Sequence, residues 1–257
     1  MIIEFYKYQG TGNDFIIIDD RDNEFDTADN SLIAALCERR MGIGADGLIL
    51  LRNHATSDFE MIYFNADGKQ SSMCGNGGRC IVAFAQLLEM IDNSCSFMAI
   101  DGIHQAKIID NEVALQMQDV HGINRDGDAF VLDTGSPHYI SFVENTDAIN
   151  VQKKGTAVRH SATYKKEGVN VNFVQLGNPP KMRTYERGVE DETLSCGTGA
   201  VAAAIALDQI GEVEDNLIEI TTAGGSLSVT FEPFNNTYRN IWLSGPAEVV
   251  YMGEFAC

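Results

Sequence analysis

The chain has 257 residues, 44% hydrophobic composition and five prolines, enough apolar material for two modest cores, which excludes a disordered chain. Its formal charge of −19, without any basic stripe, excludes a nucleic-acid surface. No apolar run approaches the length of a spanning helix, and the opening Met1-Ile2-Ile3-Glu4 lacks a basic region followed by an apolar one, so a cytoplasmic protein with no membrane partner is expected.

Residues 2–8 and 14–20 are rich in β-branched and aromatic side chains and flank Gly10-Thr11-Gly12-Asn13, which predicts two paired strands. Asp29-Asn30-Ser31 supplies N-cap residues for a helix running through Arg40. The next turn, Gly42-Ile43-Gly44-Ala45-Asp46-Gly47, matches the dinucleotide expression G-x-G-x-x-G. That fingerprint needs a strand before it and a helix after it, whereas here a helix precedes and a strand, 48–51, follows. Another strand, 59–65, ends in the turn Asn65-Ala66-Asp67-Gly68. Cys74-Gly75-Asn76-Gly77 comes next, leading into a helix over 77–91 with Ile81, Phe84, Ala85 and Leu88 at burial spacing. Strands are expected over 96–100, 105–110 and 112–117. The polar stretch 119–128 marks a boundary. Asn124 to Asp128 reads as a solvated turn, because a calcium loop starting there would need Glu where Gly135 stands.

The second half repeats the first. A shift of 122 residues carries Cys74 onto Cys196, Gly75 onto Gly197, Gly77 onto Gly199, Tyr63 onto Tyr185 and Asn65 onto Arg187. A shift of 123 carries Thr11-Gly12-Asn13 onto Thr134-Gly135-Ser136, and Gly47 onto Asn170. The expected architecture is α+β: two copies of one unit, each a strongly curved, mainly antiparallel sheet around a central helix. The second helix, 198–210, is nearly all small and apolar, which predicts burial on every side, and Gly211 ends it. Strands over 216–222, 226–231 and 239–252 finish the chain. The lobes are expected at 1–118, completed by the terminal strand 247–257, and at 119–246.

The six cysteines, Cys37, Cys74, Cys80, Cys95, Cys196 and Cys257, form no C-x-x-C pair, and the five histidines do not accompany them, so no metal site is expected. Cys37, Cys80 and Cys95 fit burial as small hydrophobes. Cys74 and Cys196 instead sit where helices start. Amides of a first helical turn lack intrahelical partners, and the aligned peptide dipoles add partial positive charge there, so a thiolate gains from both. Two such thiols in two similar halves suggest a base and an acid facing each other across one substrate. A carboxylate held by the helix ends would meet preorganised donors as charge develops during removal of the neighbouring α-proton. The second thiol would return a proton to the opposite face and invert the stereocentre. The chain carries no signal for a pyridoxal-phosphate, nicotinamide or metal electron sink, so the expectation is cofactor-independent racemisation or epimerisation of an α-amino acid.

Taken in order, Gly12-Asn13-Asp14-Phe15, Phe64-Asn65-Ala66-Asp67-Gly68, Cys74-Gly75-Asn76-Gly77 with Arg79, Glu186-Arg187-Gly188 and Cys196-Gly197-Thr198-Gly199-Ala200 closely resemble the diaminopimelate epimerase family over nearly the whole chain. The resemblance implies two pseudo-symmetric, barrel-like lobes with the active site in the cleft between them. It also implies interconversion of LL- and meso-diaminopimelate for lysine and peptidoglycan precursors, no cofactor, and a homodimer with a contact near Tyr251. Cys74 and Cys196 are its implied acid/base pair. Asn13, Asn65, Asn170, Glu186 and Arg187 are its implied substrate ligands, with the main chain at Gly75-Asn76 and Gly197-Thr198. Arg187 suits the distal carboxylate, and Glu186 or amide oxygens the distal ammonium. Two departures stand out: Ser136 where the family often has Asn, and Gly47 where it often has Gln. His138 is a candidate for a supporting electrostatic role. Alternatives are an enzyme similar to proline racemase or hydroxyproline epimerase, whose substrates lack a second charged head, and a non-catalytic thiol-redox or amino-acid-binding protein.

Overall fold

The computed structural model describes residues 2–71, 73–213 and 217–256; Met1, Cys257 and Asn216, where the strand over 216–222 was expected to begin, lie outside the described residues. Two compact units divide the chain, Met1–Leu115 with Gly245–Cys257, and Gln116–Ser244.

The first unit opens with a hairpin of β1 (Ile2–Gly10) and β2 (Asn13–Asp19). Helix α1 (Asn30–Cys37) follows, its first turn closed by the Asp29 carboxylate accepting from the Leu32 amide. It stops three residues before the expected Arg40. Glu38 turns extended and its carboxylate takes the amides of Arg40 and Met41, a local alternative to the helical ladder. Then come β3 (Gly47–Arg52), β4 (Phe59–Asn65), helix α2 (Gly75–Leu87), β5 (Ser94–Ala99), β6 (Gly102–Ile109) and β7 (Glu112–Gln116). Successive pairings are antiparallel for β1/β2, parallel for β2/β3, antiparallel for β3/β4, parallel for β4/β5, and antiparallel for β5/β6 and β6/β7.

The second unit contains β8 (Val120–His121), β9 (Asn124–Asp126), β10 (Ala129–Asp133), β11 (Pro137–Val143), helix α3 (Val151–Arg159), β12 (Asn170–Gln175), β13 (Lys181–Glu186), β14 (Asp191–Thr193), helix α4 (Gly197–Gln209), β15 (Leu217–Thr222), β16 (Gly225–Phe234) and β17 (Thr237–Gly245). Its pairings run in the same succession. They are antiparallel for β10/β11, parallel for β11/β12, antiparallel for β12/β13, parallel for β13/β15, and antiparallel for β15/β16 and β16/β17. In both units one helix lies between the strands of the first parallel pair and the central helix between those of the second, so the fold is a duplicated α+β unit. The chain then returns to the first unit as β18 (Glu248–Ala256), antiparallel to β1.

Further boundaries differ from expectation, and the larger differences have local reasons. Helix α2 begins at Gly75 rather than Gly77, making Cys74 its N-cap. It ends at Leu87 because Glu89 adopts φ +55°, which lets the Met90 amide close back on Ala85 O. Of the expected solvated turn 124–128, all exposed, Gly127-Asp128 is a turn but Asn124–Asp126 is a strand: it pairs with β10, and the Arg125 guanidinium covers the Phe130 ring at 3.4 Å. The expected single strand over 239–252 is two, β17 and β18, because Pro246 has no amide to give a ladder.

The central helices carry the cores. Every residue of α4 from Ala200 to Ala206 is fully buried among Phe130, Ile140, Ile220, Val229 and Leu243. Small side chains let strands approach the helix from all sides, and the helix ends as expected, with Gly211 at φ +75° and the Glu212 amide bonded to Leu207 O. Helix α2 buries Cys80, Ile81, Phe84 and Ala85 but exposes Leu87.

Candidate active site

Both central helices start at a cysteine. Cys74 caps α2 in an extended conformation, and the first ladder bond runs from the Gly78 amide to Cys74 O at 2.7 Å, so the amides of residues 75–77 point out of the helix end. Cys196 caps α4 in the same way, with the Ala200 amide on Cys196 O at 2.9 Å. The thiols differ in access. Cys74 is half-buried, whereas Cys196 is only 7% exposed, more enclosed than a glycine-flanked turn suggests. The remaining described cysteines are buried, as expected of small hydrophobes. Burial pushes the thiols of Cys37, Cys80 and Cys95 up to about 11, 12 and 12, so all three stay protonated at neutral pH.

In the first unit the structure brings Asn13 and Asn76 together. The buried Asn76 amide donates to Asn13 Oδ1, while Asn13 Nδ2 donates to Asp46 Oδ2 at 3.0 Å. Asp46 is tied to Arg39, which also grips Asp14 through both terminal nitrogens. Burial opposes the Asp14 carboxylate, but hydrogen bonds from Arg39 and Lys7 prevail and hold its pKa down to about 2. Arg79, fully buried, donates to Thr11 Oγ1 at 3.0 Å, Pro246 O at 3.3 Å and Gly75 O at 3.4 Å. Among the described residues no carboxylate lies within ion-pair distance of it. Burial pushes its pKa down, and the thiols of Cys80 and Cys74 oppose that. Asn65 stands exposed at the end of β4, directly opposite Gly47. Gly47 leaves no room for a longer residue: a Cβ there would lie 2.5 Å from Phe64 O and from Tyr63 Cε2.

In the second unit Ser136, Asn170 and Arg187 form one cluster. Asn170 Nδ2 donates to Ser136 Oγ at 2.9 Å, Asn170 Oδ1 accepts the Arg187 amide at 2.8 Å, and Arg187 Nη2 reaches Ser136 Oγ at 3.3 Å. Ser136 thus accepts from two of its neighbours despite its short side chain. The Arg187 side chain is exposed at the end of β13, next to the half-buried Glu186. His138 is fully buried, and burial first, with Arg187 second, pushes it down to about 3, so its imidazole is neutral. It meets Thr198 Oγ1 at 3.0 Å and Asn172 Nδ2 at 3.0 Å, and Cys196 Sγ lies 3.6 Å from Thr198 Oγ1. Sequence reasoning passed over Thr134, Asn172 and Thr184. A signal was present: two asparagines inside the buried run Val169 to Val174 require hydrogen-bond partners.

Helix ends with thiols, and amide clusters beside them, suit a carboxylate-bearing substrate, and the similarity to known proteins agrees. The family model for diaminopimelate epimerase matches residues 5–122 and 130–250. The chain belongs to the diaminopimelate epimerase family. A diaminopimelate epimerase of Flavobacterium psychrophilum is 51% identical over 252 residues, covering 97% of this chain and 98% of the relative. That of Aquifex aeolicus is 35% identical, covering 99% and 98%. Among solved structures, a phenazine biosynthesis protein of the PhzF family from Bacillus anthracis superposes with a TM-score of 0.80 at 12% identity, covering both chains fully. A hydroxyproline epimerase from Agrobacterium vitis reaches 0.70 at 15% identity, covering 99% of this chain and 92% of that one. At those identities the structural likeness speaks for the fold of this chain alone.

Proposed function

We propose that this chain interconverts LL- and meso-2,6-diaminopimelate, with Cys74 and Cys196 as its acid/base pair, for the formation of lysine and peptidoglycan precursors in the cytoplasm. The observation that carries the reading is membership of the family over nearly the whole chain, with a cysteine at the head of each central helix. One thiolate removes the α-proton while the opposite thiol delivers its own proton to the other face of the carbon. The two thiols exchange roles when the reaction runs backwards. Amides of Gly75-Asn76 and Gly197-Thr198 hold the reacting carboxylate and take up the charge that develops on it. Asn13, Asn65, Asn170 and Glu186 orient the amino-acid heads, and the exposed Arg187 guanidinium pairs with the unreactive carboxylate. Support for the asparagine and arginine assignments comes from the Asn13–Asn76 bond and from the cluster of Ser136, Asn170 and Arg187.

The working species is a homodimer. Its contact is β18, whose Val249, Val250, Tyr251 and Met252 are 45–67% exposed, an apolar row that a second copy would cover. Sedimentation of the purified chain tests this, with a dimer as the expected result and a monomer as the contrary one. For the activity, the enzyme is incubated with LL-diaminopimelate in deuterated water, and separately with proline. Deuterium at one α-carbon with inversion is expected for diaminopimelate alone. Exchange into proline instead, or into neither, would reject the proposal.

A further inference from the structure

The most telling asymmetry lies directly beneath the two catalytic cysteines. In the first unit the helix end rests on an apolar floor: a Cβ at Gly77 would meet Ile49 at 3.1 Å, and Met61 and Phe15 at 3.5 Å. At the matching place in the second unit, a Cβ at Gly199 would meet the Asn172 side-chain oxygen at 2.5 Å. The duplicated fold therefore does not require polar side chains here. The second unit nevertheless buries His138, Asn172 and Thr184 completely. Burying amide, imidazole and hydroxyl groups is costly unless all are hydrogen-bonded, and here they form one continuous chain.

The direction of every proton in that chain follows from its fixed end. Asn172 Nδ2 faces Tyr139 O and Asn170 O, both at 3.4 Å, and carbonyl oxygens can only accept. The amide nitrogen is therefore on that side, and Asn172 Oδ1 accepts from Thr184 Oγ1 at 2.9 Å across the β12/β13 pair. Of the two protons on Asn172 Nδ2 one goes to the nearest acceptor, His138 Nδ1 at 3.0 Å, and the other is shared between the two carbonyls, so Nδ1 must be the unprotonated nitrogen. The imidazole proton sits on Nε2 and is donated to Thr198 Oγ1. With that lone pair occupied, Thr198 has its own hydroxyl proton to give to Cys196 Sγ.

We propose that Asn172 is a positioning residue for Cys196: it locks the His138 tautomer, which turns the Thr198 hydroxyl into a hydrogen-bond donor that stabilises the Cys196 thiolate. His138 acts as a neutral relay and does not take the proton itself. The charge acting on the imidazole is the Arg187 guanidinium from the end of β13, and it too disfavours protonation of the ring. The inference deepens the functional reading, because it assigns regulation of one of the two thiols in that reading. It is tested by a property of the thiol that does not require turnover.

The readout is the pH dependence of iodoacetamide alkylation at Cys196, followed by mass spectrometry of its peptide in the full chain. Asn172→Asp keeps the shape but presents an acceptor to His138 Nδ1, which reverses the tautomer and turns the Thr198 proton away. A rise of about one unit in the alkylation midpoint of Cys196 is expected, with a fall in kcat of about tenfold, an unchanged KM and an unchanged Cys74 midpoint. Thr198→Val, which keeps the branched shape without the hydroxyl, should reproduce the shift, and Thr198→Ser should restore the wild-type midpoint. If Asn172→Asp does not fold, the Thr198 pair decides. A Cys196 midpoint unmoved in Thr198→Val would overturn the proposal even in an active enzyme. A wild-type chain inert towards diaminopimelate would reject the functional reading and leave the thiol measurement standing.

Discussion

Cys74 and Cys196 start their helices with the same pattern of glycines and the same extended cap, and their surroundings are chemically opposite. Around Cys74 lie an apolar floor and a fully buried guanidinium, Arg79, bonded among the described residues to neutral oxygens. Under Cys196 lies a chain of neutral polar groups ending on Thr198, with no cation among its members. The backbone geometry of a helix start is set by a few residues and can be duplicated as a unit. The charge seen by a thiol depends on side chains from several strands, and those have diverged. The proposed tuning follows that contrast: a thiolate at Cys74 would be favoured by a charge and one at Cys196 by hydrogen bonds.

Removing either thiol is the severest test. Cys74→Ala and Cys196→Ala should each lower deuterium exchange from solvent into diaminopimelate by about a thousandfold or more. Substantial exchange with only one thiol left would break the pairing of the halves. Next comes the pair of matched strand ends, where Asn65 in one unit corresponds to Arg187 in the other. Arg187→Met should raise KM for diaminopimelate by roughly tenfold to a hundredfold, the worth of a charged hydrogen bond, with kcat far less affected. Unchanged steady-state kinetics would remove Arg187 from the site.

The third prediction sharpens the contrast between charge and hydrogen bond. Arg79→Met takes away the buried cation and should raise the alkylation midpoint of Cys74 by about one unit, leaving that of Cys196 in place. Equal movement of both midpoints would mean that the two thiols share one electrostatic environment. The smallest effect concerns the Asp14 network of the first unit, which has no counterpart of that kind described around Ser136. The Asp14 pKa is lowered from 3.8 to about 2, so its contribution is complete above pH 4 and is lost as pH falls towards 2. Asp14→Asn should therefore lower stability at pH 7 by about 1 kcal/mol after allowance for solvent screening, and flatten the decline of the thermal midpoint between pH 4 and pH 2. An unaltered acid slope in a melting series would show that Lys7 and Arg39 gain nothing from this carboxylate.

Much of this was legible from residue order because the signals were local. Cys74 and Cys196 stood out through flanking glycines and the apolar runs behind them, and the repeat was visible as one stable shift between halves. The hairpin at Thr11-Gly12, the strand Phe59–Asn65 and the cap at Gly211 obey rules that span a few residues. Boundaries failed where a side chain competed with the backbone, as Glu38 does at the end of α1. Asn124–Asp126 was misread because a polar segment became a strand only by pairing with β10.

The linear order of residues determined the duplication, the two helix-start thiols and the small-residue helix destined for the core. It could not reveal that Asn172 and Thr184 meet His138, or that Arg79 is sealed against Thr11 and Pro246. Those contacts join residues 12 to 167 positions apart, and hydrogen-bond direction and burial exist only once three dimensions bring the partners within 3 Å or so. Tertiary structure therefore decided what surrounds each thiol, while the local sequence decided only where each thiol stands.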